Sequence, residues 1–302
     1  MKQVVQVSGF NEDQSERLLW LLDTLHVMAE VDEPDLEFYL KGGTCVQHHF
    51  PADAQRFSKD IDIGVLAGGR RQGAIDRESI ERYAKKLEAT LTEIGFPKGT
   101  LRLPIQPMKG NVLEVARTFE PLYARSYAPN RLFGIEAGTP YVLIDFFLNE
   151  TSPSYRKEKL NLIPSKYLDR VVHFQVATKE RLLTDKVVVL SGESEPYEAK
   201  EEVKDVLDLG MLASQVGGLD LDESKRMLEA WAASKLIDPS LRVVHASKHT
   251  VEKLREEVDD QRLATDINAL LPRSRVFASV RNWRQHCDVV IAFLENFSAL
   301  FR

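Results

Sequence analysis

Asp60 and Asp62 stand two residues apart in the run Arg56-Phe57-Ser58-Lys59-Asp60-Ile61-Asp62-Ile63. The alternation there predicts a strand over Ile61–Leu66 that ends at Gly68-Gly69. Residues i and i+2 of a strand share a face, so both carboxylates point one way while Ile61 and Ile63 point into a core. Adjacent carboxylates repel unless a cation lies between them. A hard divalent ion, Mg²⁺ or Mn²⁺, prefers such oxygen ligands. A third carboxylate, Asp145, interrupts the apolar run Tyr141-Val142-Leu143-Ile144-Asp145-Phe146-Phe147. A lone charge in such a strand is costly to bury without a partner or a metal. If this strand lies beside that of Asp60 and Asp62, the three carboxylates can hold one or two metals for phosphoryl transfer. Asp145 is then also a candidate base toward an acceptor hydroxyl.

Upstream, Leu40-Lys41-Gly42-Gly43-Thr44 supplies a second half-site. Two glycines read as a turn with close backbone access, and its N–H groups and the Thr44 hydroxyl can hold triphosphate oxygens. Lys41, Arg56 and Ser58 can add charge or hydrogen bonds. Alone, a D-x-D is an ordinary strand end and a G-G-T an ordinary turn. Their succession in one chain points to nucleoside triphosphate chemistry.

The string Lys41-Gly42-Gly43-Thr44 with Arg56 to Ile63 resembles the nucleotidyltransferases of the AbiEii/AbiGii toxin family, within the DNA polymerase β-like superfamily. Its members read GGT followed by R-x-S-x-D-I-D-L, with Ile63 here in place of the usual leucine. Two later elements match more loosely: a helix bearing Lys186, and Lys204-Asp205-Val206-Leu207-Asp208-Leu209, where lysine replaces the more usual arginine. The resemblance runs from about residue 38 to 210, and the long C-terminal helices depart from it. It implies transfer of a nucleoside monophosphate from an NTP to an RNA hydroxyl, such as a tRNA 3′ end, or to a protein hydroxyl. Asp60, Asp62 and Asp145 would hold the metal, and Gly42, Gly43, Thr44, Arg56 and Ser58 the nucleotide. Lys186 would act on the phosphates. Asp205 and Asp208, three apart on one helix face, would fix Lys186 or contact base or sugar. The resemblance also implies a toxin of a toxin–antitoxin or abortive-infection system, with a cognate antitoxin protein.

The elements that must position these residues divide the chain. Helical spacing covers Asp13–Val31 and Asp76–Ile94, with Gly95 as the natural C-cap. Strands are expected over Asn111–Thr118 and Tyr141–Asn149. From Thr178 onward helical periodicity dominates, with helices near 178–192, 196–216, 222–236, 248–257 and 275–301. The expected fold is α+β: a polymerase β-like domain over 1–165, a mixed sheet with flanking helices, then an all-helical domain over 166–302.

Composition sets the outer limits. A net charge of −6 with no basic tail argues against a protein that coats nucleic acid. No apolar run reaches membrane length, and two distant cysteines fit a reduced, cytoplasmic protein. Lys98 to Arg131 carries six basic and two acidic residues, a candidate nucleic-acid track with Tyr123 and Tyr127, or else a solvated hairpin. Adjacent His48 and His49 face different ways on a helix, and the i, i+4 pair His245/His249 lacks the glutamate of H-E-x-x-H, with Ala at 246. Cys45 reads as a core residue, and the Trp283–Phe297 stripe as helix core. Two other classes remain: a non-catalytic nucleotide- or antitoxin-binding module on a degenerate fold, and a phosphotransferase moving only the γ-phosphate.

Overall fold

A computed structural model describes residues 9–31, 33–51, 53–67, 75–93, 100–103, 111–119, 127–148, 154–162, 171–193, 199–237 and 241–302. Gly68-Gly69, Gly95, Lys98, Lys109, Tyr123 and Arg125 lie outside the described residues. The chain forms two compact units, Met1–Ala177 and Thr178–Arg302.

The first unit is built on a seven-stranded mixed sheet of order β3-β4-β5-β2-β1-β7-β6. The strands are β1 (Leu36–Lys41), β2 (Asp60–Ala67), β3 (Thr100–Arg102), β4 (Val112–Thr118), β5 (Tyr141–Leu148), β6 (Tyr155–Lys159) and β7 (His173–Ala177). The pairs β2·β5 and β1·β7 are parallel and the rest antiparallel. One face is apolar. Ile61, Ile63 and Val65 of β2 are fully buried, as are Ile144 of β5 and Leu113 of β4. Helices α1 (Glu12–Glu30) and α3 (Arg77–Glu93) account for this burial. Helix α1 packs on β5 and β7, and α3 sets Tyr83 against Phe38 and Phe146, at 4.4 Å and 6.2 Å between ring centroids. Asn11 and Gln14 close a reciprocal capping box at the start of α1. The short helix α2 (Gly42–His48) follows β1 directly.

The basic run expected near Arg131 is not a surface track at Arg117 and Tyr127, which are 0% and 2% exposed. Arg117 lies on the face of β4 that is turned toward α1. There its Nη1 lies 3.1 Å from Asp23 Oδ2 and donates to Thr24 Oγ1 at 3.1 Å. Its guanidinium also lies over Phe119, which stacks on Trp20 at 4.3 Å.

The second unit is helical: α4 (Lys179–Leu190), α5 (Ala199–Ala213), α6 (Leu221–Lys235), α7 (Leu241–Glu257), the single turn α8 (Asp260–Arg262) and α9 (Val280–Ala299). Thr178 and Asp220 cap α4 and α6 with their side chains. Trp283, fully buried, donates from Nε1 to the Leu254 carbonyl at 3.2 Å and so joins α9 to α7. His286 sits on Gly210, where a Cβ would come within 2.3 Å of the ring. Burial pushes the imidazole's pKa down, keeping it neutral against the Val206 carbonyl. Among the described residues, no helix is long and apolar enough to cross a membrane.

Gly64 of β2 is paired with Tyr39 of β1. A Cβ at Gly64 would stand 2.1 Å from the Tyr39 ring, which is fully buried and stacks on Tyr155 at 5.2 Å. Gly64→Ala is expected to lower unfolding stability by about 1–3 kcal/mol, the cost of overpacking, as measured by urea denaturation.

Candidate active site

The face of the sheet opposite α1 and α3 carries charge. In the parallel pair β2·β5, Asp62 stands directly opposite Asp145, and Asp60 opposite Leu143. Neighbouring strands are about 4.8 Å apart, so Asp62 and Asp145 are immediate cross-strand neighbours. The row extends both ways. Glu114 of β4 is the partner of Asp145, and Lys41 of β1 is the partner of Asp62. Glu114, Asp145, Asp62 and Lys41 therefore cross four strands as one line. Sheet register alone assembles it: Ile61 and Ile63, buried on the other face, forbid the one-residue slip that would turn every carboxylate inward. Lys41 is 9% exposed, with its ammonium 4.4 Å from the Phe147 ring centroid.

The GGT segment does not form a separate turn; it is the opening of α2. Gly42 has φ +64°, and a Cβ there would fall 1.8 Å from Asp62 Oδ2, so the missing side chain is the space the carboxylate fills. Gly43 lies under Arg56 and Ser58: its Cβ would meet Arg56 Nη2 at 2.8 Å and Ser58 Oγ at 3.2 Å. Thr44 is 1% exposed. Its hydroxyl donates to the Asp60 carbonyl at 2.6 Å and lies 2.9 Å from Ser58 Oγ. That donor holds the start of β2 in place. Arg56, 3% exposed, donates from Nη1 to the Phe57 carbonyl at 2.8 Å, and its backbone N–H donates to Gln47 Oε1 at 2.7 Å.

The residues fit a hard divalent cation. All the donors are carboxylate oxygens, two are held side by side by register, and glycine lets one of them lie against the backbone of α2. Among the described residues, the set of three side chains whose ligand atoms all lie within 4.8 Å of one another is nevertheless His48, His49 and Glu158, not the aspartate trio. Asp62 and Asp145 are thus the adjacent pair, with Asp60 one step along the strand.

Lys186, Asp205 and Asp208 meet inside the second unit. Lys186 on α4 is 7% exposed and pairs with Asp205 and with Asp208 of α5, the latter at 2.9 Å. The i, i+3 spacing puts both carboxylates on the α5 face toward α4. The expectation that an aspartate fixes Lys186 applies to both.

Sequence reasoning did not single out Glu114. Its signal was present, a single charge in the apolar strand Val112-Leu113-Glu114-Val115-Ala116, the same pattern that marked Asp145.

A family model described as "Nucleotidyl transferase AbiEii toxin, Type IV TA system" matches residues 26–286. No curated protein matches the chain. Among solved structures, the chain is similar to MenT4, a nucleotidyltransferase toxin from Mycobacterium tuberculosis: TM-score 0.58, 14% identity, covering 99% of this chain and 92% of that one. That likeness is one of fold. An antigenic nucleotidyltransferase-like protein from Paracoccidioides brasiliensis aligns at 13% identity over 87% of this chain and 97% of its own, with a TM-score of 0.36.

Glu114→Gln removes a like charge from the row and is expected to raise stability without added metal by up to about 1 kcal/mol, read from chemical denaturation in EDTA. Lys186→Met leaves two buried carboxylates facing each other. It is expected to cost about 3–5 kcal/mol, read by denaturant unfolding followed through the tryptophans.

Proposed function

The chain belongs to the AbiEii family of nucleotidyl transferase toxins of type IV toxin–antitoxin systems, and from that premise we propose that its first unit moves a nucleoside monophosphate from an NTP to an acceptor hydroxyl. The observation that carries the reading is the cross-strand row Glu114–Asp145–Asp62–Lys41 with Gly42 packed against Asp62.

Asp62 and Asp145, with Asp60 alongside, would hold Mg²⁺ or Mn²⁺. When bound, such an ion draws negative charge from the triphosphate and eases deprotonation of the acceptor hydroxyl. Gly42 and Gly43 would offer backbone N–H groups to the triphosphate beside Asp62. Lys41, next to Asp62, adds a positive charge at the end of the row. Thr44, Ser58 and Arg56 position this segment: Thr44 ties it to Asp60, while Arg56 and Ser58 lie over Gly43. In the reaction the acceptor oxygen forms a bond to the α-phosphorus as the bond from that phosphorus to the bridging oxygen breaks. Pyrophosphate leaves, and the acceptor proton passes to Asp145.

In the second unit, the Lys186–Asp205–Asp208 triad supports a functional role as well as a structural one. Burying three charged groups is a poor route to stability compared with an apolar core, and such groups concentrate at functional sites. The acceptor classes for this reading are an RNA hydroxyl, such as a tRNA 3′ end, and a protein hydroxyl. The partner it calls for is a cognate antitoxin.

Incubating the protein with each of the four NTPs labelled at the α-phosphate, Mg²⁺, and either total RNA or RNase-treated lysate tests the reaction and its acceptor together. Label is expected on one macromolecular fraction. Asp145→Ala is expected to reduce it roughly 10²–10⁴-fold, the usual worth of a positioned base. Transfer from γ-labelled NTP instead of α-labelled would make the protein a phosphotransferase.

A further inference from the structure

His48 lies at the end of α2, away from the carboxylate row, and is 5% exposed. The main-chain N–H of Asn161 donates to its Nδ1 at 2.9 Å. Nδ1 therefore keeps its lone pair, and Nε2 carries the proton and donates to Glu158 Oε2 at 3.0 Å. His49 stands edge-on, 4.9 Å away between ring centroids, and its Nε2 donates to the Ala177 carbonyl at 2.8 Å.

This closeness suggests a metal centre, but the proton positions oppose it. A metal-bound imidazole holds its proton on the far nitrogen and donates from there. The far nitrogen of His48 accepts instead, and the nitrogen it turns to Glu158 carries the proton.

The cluster does something else. Asn161 Nδ2 donates to the Phe50 carbonyl at 3.0 Å, and Gln55 Nε2 donates to the carbonyls of Phe50 and Asn161, at 2.9 Å and 2.7 Å. Gln47, one residue before His48, accepts from the Arg56 N–H and donates to the Gly43 carbonyl at 3.3 Å. These bonds link the back of α2 to its front, where Gly43 meets Arg56 and Thr44 holds Asp60.

We propose that His48 is a positioning residue: as a neutral imidazole with its proton on Nε2, it clasps α2 to β6 and to residues 160–162, and so keeps Gly43 and Thr44 in place against Asp60 and Asp62. This deepens the nucleotidyltransferase reading and rests on it for the nucleotide's identity. A donor at Nδ1 would face the Asn161 N–H, donor against donor, so the clasp needs an acceptor at that position. The charged groups around it are Glu158 and Arg156 on β6 and His49 on α2. The bond from His48 holds the Glu158 carboxyl below the usual range, with burial opposing.

Hydrogen–deuterium exchange of residues 42–50 in the nucleotide-free protein tests the clasp. His48→Ala, which removes the acceptor for Asn161, is expected to exchange about tenfold faster than wild type, a change of one hydrogen bond's order. His48→Asn keeps an acceptor for Asn161 and should exchange more slowly than His48→Ala. Glu158→Ala, on the edge strand, should also exchange faster than wild type while residues 142–147 stay protected. Binding of a non-hydrolysable Mg²⁺–NTP, measured by calorimetry, should follow the same ranking. Equal exchange in wild type, His48→Ala and Glu158→Ala, or a stoichiometric Zn²⁺ site lost in Glu158→Ala, would overturn the clasp. If exchange behaves as expected but wild type binds no triphosphate, the clasp stands and the nucleotidyltransferase reading falls.

Discussion

Two carboxylates held side by side are the constraint on which the first unit turns. Asp62 and Asp145 are opposite one another in a parallel pair, and like charges directly opposed across a sheet are destabilising. The sheet tolerates them because its other face is a dense apolar layer under α1 and α3. Sliding β2 by one residue would expose Ile61, Ile63 and Val65 and bury the aspartates, a much larger loss than the repulsion. The hydrophobic face thus holds the charged face in an arrangement the charges alone would not choose. At Gly42 and Gly64 this packing leaves no space for a Cβ: one lies under the Asp62 carboxylate, the other under the Tyr39 ring.

Much of this was legible in the sequence wherever local periodicity carried the information. The alternation in β2 and β5 located both strands and identified which side of each carries charge. The helical spacing of α1, α3 and the second unit's helices placed them to within a few residues. The N-terminal end of α7 went unread, since it begins at Leu241, before the expected 248. What could not be read was register. Nothing local states that Asp145 faces Asp62 or that Glu114 faces Asp145. Glu114 was passed over although its strand resembles that of Asp145. Long-range burial was equally hidden. Arg117 looked like part of a basic run, yet its alternation with Leu113 and Val115 already placed it on the apolar face, where Asp23, Thr24 and an aromatic ring await it.

In the second unit charge plays a different part. Lys186, Asp205 and Asp208 gather three ionised groups between α4 and α5, and the i, i+3 spacing that brings both aspartates to one lysine is visible in the sequence. The GGT segment shows the opposite case. Two successive glycines read as a turn, but a helix begins there, and the side chains of Thr44 and Gln47 tie it outward to the Asp60 carbonyl and the Arg56 N–H.

The described sheet ends in β3, three residues long, and in β6, whose sequence Tyr155-Arg156-Lys157-Glu158-Lys159 places charge along the rim. Short strands and lysine-rich rims discourage another chain from adding its backbone to the ladder. A protein that binds this unit must therefore grip it by side-chain contact, not by extending the sheet. The same rims guard against pairing with the edge strands of a second copy.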